Sequence, residues 1–316
     1  MAHAHADHDH HAHDHHDGHS HGHHHAPANF NRAFAIGVGL NTAFVLAEAG
    51  AGIWSGSLAL LADAGHNLSD VLSLLLAWGA TVLAKRAPGG RRTYGLRKGT
   101  ILASLANAVL LLVAVGAIAS EAVRRFMSPA EVATAPVMIV AAVGVVINTA
   151  TALLFLRGQE DLNVRGAFLH MATDAAVSLA VVAGAGLMAL TGLLWIDPAL
   201  SLGIAVVIVI GTWGLLRDSA DLALDAAPRS VDVAAVRRWL ADLPGVTEVH
   251  DLHIWAMSTT ETALTAHLTR PANDDGDAFL HQACEGLARQ FRIGHSTLQV
   301  ESGDAAACRL APAEVV

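Results

Sequence analysis

The sequence predicts an α-helical membrane protein with six transmembrane helices, followed by a small α+β domain. Of its 316 residues, 53% are hydrophobic and 15% are charged, and the mean hydropathy is +0.45. This composition is too apolar for a protein that is water-soluble throughout. The apolar residues fall in long runs before about residue 217 and in short alternating stretches after it. We therefore divide the chain into a tail over 1–29, a membrane domain over 30–217 and a C-terminal domain over 218–316.

The N-terminal tail is rich in histidine. Thirteen of the twenty histidines lie within residues 3–25, interleaved with four aspartates and with small residues that cannot build a core. This composition predicts a disordered segment. Because imidazole binds many divalent metals, the irregular tract indicates native metal buffering, with a purification tag as the alternative. The tail lacks the basic start and apolar centre of a signal peptide.

Six apolar stretches have the length that a membrane span requires, which is about 20 residues for 30 Å of hydrocarbon. They cover residues 30–54, 58–84, 100–122, 134–156, 162–190 and 197–217. The second and fourth loops together contain eight basic residues, the third contains two, and the first and fifth contain none. The positive-inside rule therefore predicts that both termini are cytoplasmic. The Ala-, Gly-, Val- and Arg-rich composition, with no targeting signal, favours a bacterial inner membrane.

The C-terminal domain has the composition of a water-soluble protein. Helical patterns at 232–241 and 277–291 alternate with strand patterns at 246–257, 261–269 and 296–301,. The order αββαβ predicts a small open-faced α+β sandwich. Its two cysteines, Cys284 and Cys308, lie far from any second thiol motif. We interpret them as ordinary thiols and expect neither a disulfide framework nor a CxxC metal site.

Two of the predicted membrane helices carry the same pair of ionisable residues. His66 and Asp70 in the second helix, like His170 and Asp174 in the fifth, are four residues apart and share one helix face,. Such residues are costly in a membrane and mark ion pathways. Two nitrogen and two oxygen ligands suit tetrahedral Zn²⁺, with purely structural His–Asp contacts as the alternative. Metal and protons would compete for these atoms, and Asp63, two turns before Asp70, is expected beside the site.

At these motifs the chain resembles the cation diffusion facilitator family of divalent metal/proton antiporters. The resemblance covers residues 30–302 and rests on GSLALLADAGHNLSD (56–70), TYGLRKGTILASLANA (93–108), the HxxxD at 170–174, VHDLHIWAMS (249–258) and HSTLQVE (295–301). It implies a homodimer, alternating access and a metallochaperone-like fold for the C-terminal domain. It also assigns the transport site to His66, Asp70, His170 and Asp174.

The same resemblance implies a regulatory metal site at the dimer interface of the C-terminal domains. The positions that correspond to it here are His250, His267, His281 and Glu301.

Two further positions follow from the resemblance. Lys98 matches a basic residue that can pair with an acid after the sixth helix, for which Asp225 is the candidate, with a solvated loop lysine as the alternative. Many relatives carry an acid near the start of the third helix, where this chain has Thr100.

The expected function is proton-coupled export of divalent metal from the cytoplasm. Zn²⁺ is the first candidate, since manganese-type members tend to carry Asp where this chain has His66, and Cd²⁺, Co²⁺ and Ni²⁺ follow. The expected partners are these metals, protons, the lipid bilayer and a second copy of the chain. A zinc enzyme is disfavoured because no HExxH motif is present,.

A nucleic-acid partner is disfavoured because the net charge of −9 comes without a basic face,. A metal sensor or buffer would account for the tail and the C-terminal domain. It would leave unexplained the six spans and the ionisable residues within two of them.

Overall fold

A computed structural model describes residues 32–84, 88–154, 162–271, 276–302, 308 and 310. The histidine-rich tail and the loop residues Lys85, Arg86 and Arg157 lie outside the described residues. Six long helices come first: α1 Arg32–Ser55, α2 Leu58–Ala84, α3 Gly99–Met127, α4 Thr134–Leu154, α5 Leu162–Thr191 and α6 Ile196–Ala223. Helices α3 and α6 continue past their predicted ends, because polar residues that leave the hydrocarbon can still extend a helix.

The six helices have the surface of a membrane protein. Within the described residues, α3, α4, most of α5 and α6 combine the length and the composition of a membrane span. Helices α1 and α2 contain 24 and 27 residues, or about 36 and 40 Å at about 1.5 Å per residue. Large apolar side chains such as Leu110 and Ile210 face outward, whereas Glu48, Asp63 and Asp174 are buried. Polar groups inside and apolar groups outside are what a lipid environment demands.

Helix α2 is central in the bundle. It contacts α1, α3, α5 and α6, while α4 packs along α5 and α3 along α6. A buried apolar cluster that includes Leu60, Val181 and Ile204 holds α2, α5 and α6 together. Side chains on the inner face of α2 are therefore enclosed by neighbouring helices.

The carboxylate of Asp197 in α6 holds the N-terminus of α2. It accepts hydrogen bonds from the Ser57 hydroxyl at 2.5 Å and from the backbone N–H of Leu58 at 2.9 Å. Ser57 in turn accepts from the N–H of Leu60 at 3.2 Å, as an N-cap residue does. The guanidinium of Arg125 lies 3.6 Å from Asp197, which is 1% exposed. Donors that would otherwise be unsatisfied at this buried helix start are thus paired.

The C-terminal domain contains α7 Val233–Ala241, β1 Glu248–Ala256, β2 Thr262–Thr269, α8 Gly276–Phe291 and β3 Ile293–Glu301. The predicted order αββαβ is confirmed. The sheet has the order β1-β2-β3, with β1 antiparallel and β3 parallel to β2. Leu240 of α7 and Leu287 of α8 join Leu264 and Leu268 of β2 in one buried core. Both helices therefore cover the same face of the sheet, and the other face is available for polar residues.

Among the described residues, several polar contacts join the membrane helices to the C-terminal domain. Lys98 Nζ lies 2.5 Å from Asp225 Oδ1, which confirms the pairing expected for this lysine. Arg97 lies 2.9 Å from Glu261. The Thr100 hydroxyl accepts a hydrogen bond from the backbone N–H of Thr259 at 3.1 Å. The start of α3 is thus attached to the turn between β1 and β2.

Candidate metal centres

The structure brings the two HxxxD pairs of α2 and α5 together. His66 Nε2 lies 3.9 Å from Asp70 and 3.3 Å from Asp174. His170 Nε2 lies 3.4 Å from Asp70 and 3.6 Å from Asp174. Imidazoles and carboxylates therefore alternate around a ring, which we call the membrane cluster. Each helix contributes two adjacent members because residues four apart lie one above the other on the same face.

The dimensions of the membrane cluster fit a tetrahedral zinc ion. Four ligands about 2.1 Å from a tetrahedral metal are about 3.4 Å from one another. The four distances between neighbouring members of the ring, from 3.3 to 3.9 Å, bracket that value. One donor atom from each residue can be chosen so that all four lie within 4.8 Å of one another. Little rearrangement would be needed to close the ring around an ion.

Buried polar residues surround the membrane cluster. Asp63 accepts a hydrogen bond from the Ser178 hydroxyl at 3.0 Å, one turn beyond Asp174 on α5. The Asn67 amide donates to Glu48 of α1 at 3.0 Å. Asp63 lies beside the cluster and outside the ring of four, where the sequence predicted it. These contacts fix the rotation of α2 against α1 and α5, and so the direction in which His66 and Asp70 point.

A second group of side chains of the types that can bind a metal lies in the C-terminal domain. We call His250, His267, Glu301 and Cys308 the C-terminal cluster, because one donor atom of each lies within 4.8 Å of the others. His250 on β1 is the direct cross-strand partner of His267 on β2, and their ring centroids are 5.3 Å apart. Glu301 ends β3, paired in register with Thr269. The three strands thus bring the two imidazoles and the carboxylate together.

A β-bulge in β1 shapes this cluster. The pairing register shifts between His250 and His253, and Asp251 within the bulge has a φ of 49°, a left-handed conformation that aspartate tolerates. The carboxylate of Asp251 lies 3.5 Å from His267 Nε2 and 2.8 Å from His253 Nε2. His267 therefore has one ring nitrogen beside Asp251 and the other directed into the cluster.

The electrostatics of the C-terminal cluster favour an ionised carboxylate. Glu301 lies 3.4 Å from His250 Nε2 and 3.1 Å from His267 Nδ1. Desolvation acts to raise its pKa, but hydrogen bonds from Cys308 and Gln299 and the nearby imidazoles outweigh it and hold the pKa of Glu301 below its usual value. Ionised Glu301 is the form that binds a metal.

The predicted C-terminal ligands do not all meet within one chain. His281 lies exposed on α8 and is outside the C-terminal cluster as the described residues form it. Cys308, interpreted from the sequence as an ordinary thiol, lies inside it, with Sγ 3.4 Å from His267 Nδ1. The sequence indicated this position of Cys308 only weakly. The cysteine follows Glu301 by seven residues, which is not a spacing known from metal-binding motifs.

Two family models together match most of the chain. The cation efflux transmembrane domain matches residues 34–222, and the cation efflux protein cytoplasmic domain matches residues 228–303. The first contains the membrane cluster. The second contains His250, His267 and Glu301 and ends before Cys308.

Individual relatives match over nearly their whole length. The metal cation efflux system protein CzcD of Cupriavidus metallidurans is 36% identical over 87% of this chain and 88% of its own. The zinc transporter ZitB of Escherichia coli is 37% identical over 86% of this chain and 88% of its own. The cadmium, cobalt and zinc/H⁺-K⁺ antiporter of Bacillus velezensis is 32% identical over 83% of this chain and 85% of its own.

A solved structure also matches part of the chain. It is the metal-bound C-terminal domain of the CzcD transporter, which is 36% identical and covers 22% of this chain and 99% of the solved one, with a TM-score of 0.22. Both family models match this chain, and the relatives are similar to it over most of their length. The chain therefore belongs to the cation efflux, or cation diffusion facilitator, family of multi-pass membrane transporters.

Proposed function

We propose that this protein exports divalent metal, Zn²⁺ in particular, from the cytoplasm in exchange for protons. The observation that carries the proposal is the membrane cluster, in which two imidazoles and two carboxylates from α2 and α5 have the spacing of a tetrahedral zinc site,. The four ligands are His66, Asp70, His170 and Asp174. The names of ZitB and of the Bacillus velezensis antiporter support zinc among the cargoes.

The ligand chemistry of the membrane cluster supports Zn²⁺ as the first candidate for the transported metal. Imidazole is a borderline ligand that suits Zn²⁺, Co²⁺ and Ni²⁺, whereas carboxylates alone suit Mg²⁺, Ca²⁺ and Mn²⁺. With two nitrogens and two oxygens, the membrane cluster is matched to Zn²⁺, and Cd²⁺, Co²⁺ and Ni²⁺ are the next candidates. The carboxylate of Asp174 is 2% exposed, so the metal would exchange most of its water for protein ligands.

Proton coupling follows from the same atoms. The imidazole nitrogens and carboxylate oxygens that would bind a metal are also the atoms that bind protons, so each ion displaces the other. A proton gradient directed into the cell loads the cluster with protons on the outer side. The less acidic cytoplasm then favours metal again, and alternating access to the two sides gives net export.

The chain works as a homodimer in an inner membrane, with both termini in the cytoplasm. The excess of basic residues in the second and fourth loops supports this orientation,. The match to the cytoplasmic-domain model supports the placement of the C-terminal domain. There, His250, His267 and Glu301 form one regulatory metal site, and exposed His281 contributes to a further one at the dimer interface.

Zinc flux into proteoliposomes tests the proposal. Purified protein is reconstituted with a zinc-sensitive dye inside the vesicles, and flux is measured with and without an imposed pH gradient. We expect flux to rise when the vesicle interior is made acidic. We also expect proton movement in the opposite direction, recorded with a pH-sensitive dye.

The matched controls are Asp70→Asn, inside the membrane cluster, and Asp221→Asn, an exposed position near the end of α6. Flux should be lost in the first variant and kept in the second. Equal flux in both variants would contradict the assigned site. Zinc flux that ignores the pH gradient would contradict proton exchange while leaving metal export in place.

A further inference from the structure

We propose that the Cys308 thiolate is the fourth metal ligand of the C-terminal cluster, making it a closed site with two nitrogens, one oxygen and one sulfur. Cys308 Sγ lies 3.4 Å from His267 Nδ1. Around a tetrahedral zinc ion, with a Zn–S bond of about 2.3 Å, the sulfur and a nitrogen ligand are about 3.6 Å apart. The sulfur is thus at ligand distance from its neighbour before any ion is bound.

His250 gives an independent indication of a ligand. It is 6% exposed, and neither of its ring nitrogens has a hydrogen-bond partner among the described residues. Its Nε2 lies 3.4 Å from Glu301, without the alignment of a hydrogen bond. A buried polar group without a partner destabilises the fold. A metal ion bound to the imidazole would satisfy it.

The tautomer of His267 is set by the opposite side of its ring. Asp251 lies beside Nε2, which favours a proton there and leaves a lone pair on Nδ1. Nδ1 is the nitrogen that faces both Glu301 at 3.1 Å and Cys308 at 3.4 Å. A carboxylate behind a metal-binding histidine fixes the ring and raises its basicity. The ring is therefore oriented for an ion that lies between these two side chains.

The sulfur changes which metals the C-terminal cluster selects. Thiolate is a soft ligand that favours Zn²⁺ and Cd²⁺ over Mn²⁺, Mg²⁺ and Ca²⁺. The membrane cluster contains no sulfur, so the two centres differ in ligand softness. A site with four protein ligands is also closed to substrate water, as structural zinc sites are. This inference deepens the proposed regulatory role of the domain and rests on it.

Cobalt binding by the full-length protein tests the inference. A thiolate bound to Co²⁺ gives an intense near-ultraviolet charge-transfer band that nitrogen and oxygen ligands do not give, so the membrane cluster cannot produce it. We expect the band in the wild type, in Cys284→Ser and in Asp174→Asn. It should be absent in Cys308→Ser and His250→Ala. The zinc affinity of the C-terminal cluster should fall by more than about 10-fold in Cys308→Ser. A loss of about 10-fold can already result when a residue that only hydrogen-bonds to a metal ligand is removed.

Alkylation of the wild-type protein gives a second readout that needs no variant. Cys284 and Cys308 are both partly exposed, and labelling of each by N-ethylmaleimide is followed by mass spectrometry. Zinc should slow the labelling of Cys308 and leave that of Cys284 unchanged.

The outcomes separate the inference from the proposed function. A band that persists in Cys308→Ser but disappears in His250→Ala would overturn the role of Cys308 and keep a metal site in the domain. Absence of the band from the wild type, with Cys308 labelled equally fast in zinc, would also overturn it. Zinc export by the wild type is measured separately, and its failure would leave the C-terminal result intact.

Discussion

Asp174 is the most enclosed member of the membrane cluster. Its side chain is 2% exposed, and its two oxygens lie 3.3 and 3.6 Å from the two imidazoles. Asp70, at 30% exposed, faces the more open side. The two carboxylates are therefore not equivalent, since one is enclosed by the bundle and the other is reached by solvent. A metal ion would enter past Asp70 and be held against Asp174.

Asp174→Asn is expected to reduce zinc binding and zinc flux by more than about 10-fold, because it removes a charged ligand. Removal of a residue that only hydrogen-bonds to a metal ligand already costs about 10–100-fold. The amide preserves the volume, so the bundle should stay folded. Binding to the purified protein is measured by calorimetry, with Asp221→Asn as the control. Unchanged affinity in Asp174→Asn would remove this residue from the site.

His66→Asp is expected to shift transport from Zn²⁺ toward Mn²⁺. Replacing an imidazole by a carboxylate gives the cluster three oxygen ligands and one nitrogen, and hard cations prefer oxygen. The ratio of zinc to manganese flux in proteoliposomes measures the shift, and His295→Asp, at an exposed position on β3, is the matched control. If the ratio is the same in both variants, metal preference is set elsewhere in the chain.

The membrane cluster could be predicted from the sequence because the period of the helix puts residues four apart on one face. Repetition of the spacing in α5 then suggested a partner. Cys308 could not be predicted in this way, since its position beside His267 depends on tertiary structure and not on a spacing in the sequence. The bulge at Asp251 likewise leaves no clear mark in the sequence.

At the scale of single elements, the start of α2 depends on a side chain from α6. Asp197 accepts hydrogen bonds from Ser57 and from the backbone of Leu58, and it lies next to Arg125. The bond to Ser57 joins residues 140 positions apart in the sequence. The helix that carries His66 and Asp70 is therefore positioned by α6 as well as by its own sequence.

Asp197→Ala is expected to destabilise the protein by at least about 2 kcal/mol, because it removes a cap and leaves buried donors unsatisfied. The measurement is thermal unfolding in detergent. Asp221→Ala, on the same helix but exposed, should stay within about 0.5 kcal/mol of the wild type. If both variants unfold at the same temperature, the contacts of Asp197 contribute little to stability.

At the scale of the whole molecule, the two domains are joined by ion pairs at the start of α3. Lys98 and Asp225 are 47% and 57% exposed, and exposed pairs contribute about 0–1 kcal/mol. Their effect on overall stability is small. Their effect on the relative position of the domains is larger, since few polar contacts connect the two parts in the portion of the chain that the structure describes.

Lys98→Glu is expected to loosen the attachment of the C-terminal domain, because two acidic side chains would then face each other. Limited proteolysis between the domains should become faster, and the double variant Lys98→Glu/Asp225→Lys should restore the wild-type rate. The control is Arg217→Glu, which changes an exposed charge on α6. A double variant that is cleaved as fast as Lys98→Glu would show that the two residues do not interact.

The predicted fold class matches the structure because hydrophobic length and periodicity are local properties. Both gave the six helices and the order αββαβ. The sequence did not predict that α2 lies at the centre of the bundle, because that depends on which helix faces meet. It also placed the ends of α3 and α6 too early, since apolar composition marks the hydrocarbon boundary while backbone hydrogen bonding continues beyond it.

The net charge of the membrane cluster determines how strongly the membrane voltage acts on it. Two ionised carboxylates and two neutral imidazoles carry a formal charge of −2,, so a bound divalent ion brings the sum to zero. The membrane voltage then exerts no net force on the loaded ring. Charge is costly in a medium of low permittivity. In the proposed transport cycle, the emptied ring would therefore need another cation to neutralise it before it could reorient at low energetic cost.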